Sequence, residues 1–85
     1  MNDELLILKS YVEISSYRLK AVKCIGNDVK TPTKIAKETG ILTNHISKVL
    51  KELKEHGIAE CINEEMRKGR LYKLTNKGLE ISKYL

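Results

Sequence analysis

The chain has 85 residues, the length of one small domain, and 41% of them are hydrophobic, which is enough for a small core and disfavours intrinsic disorder. It contains no Trp or Phe, so aliphatic side chains and four tyrosines must fill that core. Sixteen Lys and Arg against eleven Asp and Glu give a net charge of +5. This balance permits an acidic partner without identifying one.

Local patterns disfavour a membrane or secreted protein. No stretch approaches the roughly 18 apolar residues of a membrane span, and the start MNDELLILKSYVE lacks the basic segment and long apolar run of a signal peptide. We therefore expect a cytoplasmic protein.

Cys24 and Cys61 stand alone, without a CxxC motif or a nearby histidine pair. This favours two buried free thiols over a disulfide or metal site, and it leaves a redox role for the pair open.

The N-terminal part of the chain predicts two helices. Residues 3–14 are dense in apolar side chains at spacings of three and four, and the surplus on other sides predicts burial on more than one face. Ser15 and Ser16 can cap a following helix over residues 17–25, which ends at Gly26.

The stretch TPTKIAKETG has clear signals at both helix ends. Thr31 is a predicted N-cap, and Pro32 occupies the first helical position, where its missing N–H costs nothing. Gly40 can adopt the left-handed conformation that stops a helix. Together these residues predict a short helix over about 32–39.

A longer helix is predicted over residues 44–56, with Thr43 as its N-cap and Gly57 as its stop. Apolar residues at spacings of three and four place one stripe toward a core. These residues are Ile46, Val49, Leu50 and Leu53. The opposite side of the helix carries Asn44, Ser47, Lys48, Lys51 and Glu55.

The helical spacing of apolar residues ends at Gly57. Residues 58–62 (IAECI) and 70–74 (RLYKL) are short and rich in β-branched or aromatic residues, and the polar loop NEEMRKG joins them. This pattern predicts a β-hairpin. Thr75 can then cap a last helix over residues 76–85. The residues of that helix predicted to be buried are Leu79, Ile81, Tyr84 and Leu85.

The segment 32–51 looks like a helix-turn-helix. Ala36 and Gly40 fall four apart, as in that family's small-residue and turn-glycine positions. A small residue lets two helices cross closely, and a glycine tolerates the left-handed backbone of a tight turn. The apolar positions of the pattern are filled by Ile35, Ile41, Ile46 and Val49.

The hairpin adds a wing to this unit. KELKEHGIAECI followed by RKGRLYKLTNKG resembles the second half of archaeal and bacterial winged-helix regulators of the MarR/ArsR-like type. The resemblance covers about residues 16–80. It implies a single, mainly α winged helix-turn-helix domain with a small β-hairpin, with the helix-turn-helix at about 32–56 and the wing at about 58–74. The predicted N-terminal apolar helix lies outside the resemblance and is an extra element.

The resemblance also implies binding to double-stranded DNA, with helix 44–56 in the major groove and the wing on the backbone or in the minor groove. Asn can pair with adenine, and Lys can reach guanine. The candidate contacts of the recognition helix are Thr43, Asn44, His45, Ser47, Lys48 and Lys51. The candidate backbone contacts of the preceding helix are Thr31, Thr33 and Lys34. The candidate wing contacts are Arg67, Lys68 and Arg70.

Less specific interpretations stay open for the charged residues. Lysines on a helix face are usually only solvated, and Glu52 and Glu55 are plausible partners for Lys48 and Lys51 in exposed pairs. Glutamates at the base of the wing can offset part of its charge. They are Glu64 and Glu65. At the level of function, the alternatives are a protein-interaction winged helix and a non-specific, chromatin-like DNA binder.

Catalytic and sensory chemistry finds little support in the sequence. It contains no HExxH motif, no Gly-rich phosphate loop and no acidic cluster with metal spacing, so we expect no enzymatic activity and no cofactor. Cys24 and Cys61 are too few to form a metal sensor. We also predict no small-molecule effector.

The terminal segments, residues 3–14 and 76–85, carry more apolar side chains than the winged core needs. This surplus predicts a homodimer formed mainly through these two segments, which presents two recognition helices to a two-fold site, about one helical turn of DNA apart. Alternatively, the two segments fold back onto the core, and the protein binds a single site.

Overall fold

Residues 2–85 are described by the computed structural model, and within them the chain forms five α-helices and one two-stranded antiparallel sheet. In chain order the elements are α1 (Asp3–Glu13), α2 (Ser16–Ile25), α3 (Pro32–Thr39), α4 (Thr43–Glu55), β1 (Ala59–Cys61), β2 (Tyr72–Leu74) and α5 (Asn76–Ser82). The predicted order of four helices, a hairpin and a last helix is confirmed. The strands are shorter than predicted, although the Ile62 N–H still donates to the Leu71 carbonyl at 2.9 Å.

Predicted side-chain caps begin three of the helices. Each cap oxygen accepts a hydrogen bond from the backbone N–H three residues further on, which satisfies one of the donors left free in a first turn. The three caps are Ser15 to Arg18 at 3.2 Å, Thr31 to Lys34 at 3.2 Å and Thr75 to Gly78 at 3.1 Å.

The predicted cap of α4 is wrong. Thr43 is already the first helical residue, and Leu42 takes the cap position without a side-chain hydrogen bond. The turn between α3 and α4 explains the difference, because Gly40 is left-handed and Ile41 is buried in the core. As a result, α4 begins at Thr43, one residue earlier than the cap pattern predicts.

The core lies where α2, α3 and α4 meet, with the sheet and α5 packed against them. It is built almost wholly from aliphatic side chains, as the absence of Trp and Phe requires. The largest fully buried side chains are those of Val12, Val22, Ile25, Ile35, Ile46, Leu50, Leu53, Ile58 and Ile81. The predicted apolar stripe of α4 is thereby confirmed, since Val49 is buried as well.

Helix α5 approaches the start of β1 very closely at Gly78. This glycine is buried, and a Cβ atom on it would overlap the backbone carbonyl oxygen of Ile58. The same carbonyl accepts a hydrogen bond from the Thr75 N–H at 3.0 Å. The base of the hairpin is therefore fixed against α5 by backbone contact.

The terminal helices pack on the rest of the domain, with α1 against α2 and α5. Their predicted burial is only partly correct. Val12 and Ile81 are fully buried, whereas Tyr84 is exposed because it lies beyond the end of α5. Three apolar side chains of α1 and its cap also remain exposed, so this helix is not buried on several faces. They are Leu6, Ile7 and Ile14.

An aromatic stack joins α1 to the C-terminal end of α4. The rings of Tyr11 and His56 stack with 3.9 Å between their centroids, and the Arg18 guanidinium lies over the Tyr11 ring at 3.8 Å. His56 is the C-cap of α4, and its Nδ1 lies 2.9 Å from the Glu52 carbonyl. His56 therefore lies at the negative end of the helix dipole.

A backbone bridge ties the entrance of α3 to the second strand of the hairpin. The N–H of Lys30 donates to the Tyr72 carbonyl at 3.0 Å, and the Tyr72 N–H donates to the Lys30 carbonyl at 2.9 Å. Because Thr31 follows directly, the first turn of α3 is held beside the wing. The sequence did not predict this contact.

Cys24 and Cys61 are free thiols, each half-buried rather than fully buried. Cys24 donates to a carboxylate oxygen of Glu38 at 3.4 Å, and Lys30 donates to the same oxygen at 2.7 Å. Residues 2–85 contain no group of three His, Cys, Asp or Glu side chains arranged to hold a metal ion. None of their helices is long and apolar enough to cross a membrane.

Candidate nucleic-acid interface

Helix α4 is two-sided. Its buried stripe holds it against the core, and its outer side carries exposed polar and cationic side chains. The outer side chains, all exposed, are Thr43, Asn44, His45, Ser47, Lys48 and Lys51. All six predicted recognition-helix residues therefore lie on the surface. Because the first turn has no side-chain cap, its backbone N–H groups also remain available to an anion.

The lysines of this surface are not neutralised by the predicted partners. Glu52 lies beside Arg18, with 3.4 Å between its Oε1 and the Arg18 Nε. None of the ion pairs within residues 2–85 includes Lys48 or Lys51. The interpretation of these lysines as members of helical ion pairs is therefore wrong, and both charges point into solvent.

His45, one of the predicted recognition-helix contacts, lies on the surface. Its ring meets the ring of Tyr17 edge-on, with 5.6 Å between the centroids. Tyr17, at the start of α2, is itself exposed. This contact orients the imidazole beside Asn44 at the N-terminal end of α4.

A groove of about 750 Å³ separates α4 and the start of α3 from the wing. It is lined mainly by cationic and hydroxyl side chains, and it contains seven of the residues predicted to touch DNA. Those seven are Thr31, Thr33, Ser47, Lys51, Arg67, Lys68 and Arg70. The remaining predicted contacts lie outside the groove. Thr43 lines a shallower depression beside the turn between α3 and α4, together with Thr33.

The residues of the α3 start differ in how free their side chains are. The hydroxyl oxygen of Thr31 accepts a hydrogen bond as a helix cap, and the residue is half-buried. Thr33 and Lys34 are exposed. The bridge from Lys30 to Tyr72 holds the start of α3 beside the wing, where Thr31 and Thr33 line the groove.

Two residues of the groove were missed by the sequence interpretation. Lys54 follows Lys51 by three residues, on the side of α4 that faces the wing, and Tyr72 lines the groove from β2. The spacing of Lys54 from Lys51 was the available signal. Tyr72 is half-buried and packed against the core.

An ion pair between Lys54 and Glu64 joins α4 to the wing. The hydrogen bond from Lys54 lowers the pKa of the Glu64 carboxyl, and the same bond raises the pKa of Lys54. Glu64 was expected to offset the charge of the wing. It pairs with the helix instead, so the exposed side chains of Arg67 and Lys68 have no ion-pair partner within residues 2–85.

We call residues 63–70, including Asn63 and Arg70, the wing loop. Gly69 adopts a left-handed conformation (φ 70°) that bends the loop. Arg67 and Lys68 are exposed. Arg70 is also exposed, although its guanidinium donates to two carbonyls of the loop itself.

Cys24 lies in a separate polar cluster with Lys30 and Glu38. Burial raises the pKa of its thiol, and the hydrogen bond to Glu38 acts in the same direction. Since the thiolate is the reactive form, a raised pKa disfavours redox chemistry at Cys24. The hydrogen bond from Lys30 to the Cys24 carbonyl, at 2.6 Å, instead links the end of α2 to the entrance of α3.

Comparison with known proteins supports the architecture. The sequence matches no protein-family model and no curated protein. Among solved structures, a mutant of Lactococcus lactis ZitR is similar over 82% of this chain, with a TM-score of 0.73 and 22% sequence identity. This chain covers 49% of that protein's length. The likeness confirms the predicted winged-helix fold, and at this identity it shows the fold alone.

Proposed function

We propose that the protein binds double-stranded DNA across α4 and the wing, without catalysis, as a transcriptional regulator. The observation that carries the proposal is the cationic groove between α4 and the wing loop, which opens beside lysines of α4 that have no ion-pair partner within residues 2–85. A winged helix with such a surface can place one helix in the major groove and its hairpin on the adjacent backbone.

The N-terminal half of α4 would read base edges. Asn44 has the amide needed to pair with adenine, and Lys48 can reach the acceptors of guanine. Ser47 can bond to a base or to a phosphate. His45 would be presented in the orientation set by Tyr17.

Phosphate contacts would surround this helix. The free N–H groups in the first turn of α4, next to Thr43, suit an anion. Lys51 of the groove and Thr33 and Lys34 of α3 would contact one stretch of backbone. Arg67 and Lys68 of the wing loop would contact another, so that the backbone follows the groove between them.

A homodimer would be formed through α1. Ile7 of α1 and its C-cap Ile14 lie seven residues apart on one side of the helix and are 69% and 80% exposed, and Leu6, next to Ile7 in the chain, is 48% exposed. A second copy can cover this surface with an identical one, as two-fold symmetry requires. The predicted contribution of the C-terminal segment is omitted from this interface, because Ile81 is buried in the core of its own chain. The dimer would present two α4 helices about one helical turn of DNA apart.

Light scattering at micromolar concentration tests the dimer. The unchanged chain should have the mass of two copies, and the double variant Ile7→Glu with Ile14→Glu should have the mass of one. Lys20→Glu, an exposed change on α2, is the control and should leave the mass of two copies. A single-copy mass for the unchanged chain would remove the dimer and leave single-site DNA binding untouched.

DNA binding is tested by selecting bound sequences from a random duplex pool at physiological salt, followed by affinity measurements over a range of salt. A plot of log affinity against log salt should fall with a slope of about 0.9 per contacted phosphate. Lys48→Ala with Lys51→Ala should weaken binding by about tenfold or more and flatten that slope. Lys77→Ala with Lys83→Ala, at α5, removes the same number of exposed positive charges and is the charge-matched control.

Each outcome of the selection separates the proposal from an alternative. Enriched sequences with a steep salt dependence would support a regulator. Binding without enrichment would contradict it in favour of a non-specific DNA binder. Absence of duplex binding would contradict DNA binding altogether and favour a protein-interaction domain.

A further inference from the structure

The wing loop has almost no apolar anchor. Residues 64–70 are all exposed, and only Asn63 at its beginning is half-buried. The loop also contains Gly69, which has the largest backbone freedom of any residue type. A loop of this composition would be mobile unless polar contacts held it.

Arg70 supplies two such contacts. Its Nε donates to the Met66 carbonyl at 2.7 Å, and its Nη2 donates to the Glu64 carbonyl at 3.2 Å. The planar guanidinium therefore spans the loop from its end back to its first half. A lysine cannot reproduce this arrangement, because its single ammonium group lacks the fixed fork of donors.

Asn63 closes the loop from the other end. Its Oδ1 accepts from the Leu71 N–H at 2.7 Å, and its Nδ2 donates to the Gly69 carbonyl at 3.1 Å. Together, Asn63 and Arg70 satisfy four backbone groups of a segment that makes few ladder hydrogen bonds.

The other two cations of the loop are free for an external partner. None of the hydrogen bonds and ion pairs formed within residues 2–85 uses the side chain of Arg67 or Lys68. Three cations that look equivalent in the sequence therefore have two different environments: Arg70 faces its own loop, and Arg67 and Lys68 face solvent.

We propose that Arg70 is a positioning residue, which with Asn63 holds the wing loop in one conformation before DNA arrives, and that Arg67 and Lys68 make the phosphate contacts. A loop ordered in advance loses less conformational entropy on binding, so it supports tighter binding with the same contacts. This role replaces the direct phosphate contact predicted for Arg70. Its DNA part rests on the proposed function, whereas the order of the free loop does not.

The test compares Arg70→Lys with Arg67→Lys, a charge-conserving pair of variants. Backbone amide relaxation of the free protein is measured for residues 63–70, and duplex affinity is measured over a range of salt. Arg70→Lys should lower the loop order parameters from about 0.85 to below about 0.6. It should weaken binding about tenfold, with the salt slope unchanged. Arg67→Lys should leave the loop ordered, because the Arg67 side chain makes no hydrogen bond or ion pair within residues 2–85.

Arg67→Ala distinguishes the phosphate contact proposed for Arg67 from the positioning role proposed for Arg70. This variant should reduce the salt slope by about 0.9 while the loop stays ordered. Asn63→Ala should loosen the loop as Arg70→Lys does. Melting curves of all four variants check that the core is intact.

The proposal is overturned if Arg70→Lys leaves the loop ordered, or if the loop loosens without a loss of affinity. If the unchanged protein does not bind duplex DNA, the proposed function fails, and the relaxation data alone decide whether Arg70 holds the wing loop.

Discussion

Helix α4 and the wing loop line the same groove, and they are held in place by different forces. Four buried aliphatic side chains fix α4 in the core, and these are Ile46, Val49, Leu50 and Leu53. The wing loop is fixed by hydrogen bonds from Asn63 and Arg70 and by the ion pair from Glu64 to Lys54.

Because of this difference, the packing of α4 should determine the stability of the domain, whereas the order of the wing loop should affect mainly DNA binding. The position of α4 cannot change unless the core is disrupted, because burial of apolar area is the main stabilising force in the domain. The wing loop can lose its order while the core remains folded, because exposed hydrogen bonds contribute little to global stability. Changes in the two regions should therefore have different signatures.

The largest effect is expected for Leu53→Ala, which removes a fully buried side chain from α4. The cavity should lower the free energy of unfolding by about 2–5 kcal/mol, a large share of the stability of a small domain. Urea denaturation measures this change, and DNA affinity should fall with it. Lys51→Ala on the outer side is the control, with a change below about 0.5 kcal/mol. An unchanged midpoint for Leu53→Ala would contradict the account of α4.

A smaller loss of stability is expected for Gly78→Ala. The added methyl group would meet the Ile58 carbonyl, and α5 must move away from the base of the hairpin. Overpacking of this kind should cost about 1–3 kcal/mol, although alanine favours helices more than glycine does. Asn76→Ala in the same helix is the control. Equal thermal stability of the two variants would show that the base of the hairpin is not fixed by the contact between Gly78 and Ile58.

For Asn63→Ala, recognition should change more than stability. We expect the melting temperature to stay within a few degrees, at about 1 kcal/mol or less, while duplex affinity falls about tenfold. Calorimetry and anisotropy measure the two quantities. A parallel loss of both would mean that the wing loop and the core unfold together, which would contradict the claim that the two regions are held in place independently.

The smallest effect concerns pH. The hydrogen bond from Lys54 keeps the pKa of Glu64 below its ordinary value of 4.5. Its stabilising contribution is therefore complete above that value and is lost as the pH falls through the lowered pKa in the folded state. Amide shifts of the wing loop should show a transition below about pH 4.5 that Glu64→Gln abolishes and Glu65→Gln retains. The same transition in Glu64→Gln would assign it to another group.

The sequence predicted best what depends on near neighbours. Thr31 and Thr75 cap helices because their partners lie three residues away, and Gly40 ends α3 because its own backbone is left-handed. Periodicity was sufficient to identify the buried side of α4. Thr43 failed as a cap because the turn before it is set by the burial of Ile41.

Contacts distant in sequence were beyond such reasoning. The bridge from Lys30 to Tyr72 and the ion pair from Lys54 to Glu64 form only when the hairpin has folded against α3 and α4. Arg70 shows a different limit, because its partners are only four and six residues away but lie in a loop without a regular pattern. Its neighbours in sequence made it one of three similar cations, and only the folded loop brings the Met66 carbonyl within 2.7 Å of its Nε.

The most direct test of the DNA interface is an NMR titration of the labelled protein with a duplex from the selection. The account predicts that the largest amide shift changes fall in residues 43–51 and 63–70 and weaken as salt is added, because both segments would contact DNA. Shift changes centred on α1 or α5, with residues 43–51 and 63–70 unaffected, would contradict it.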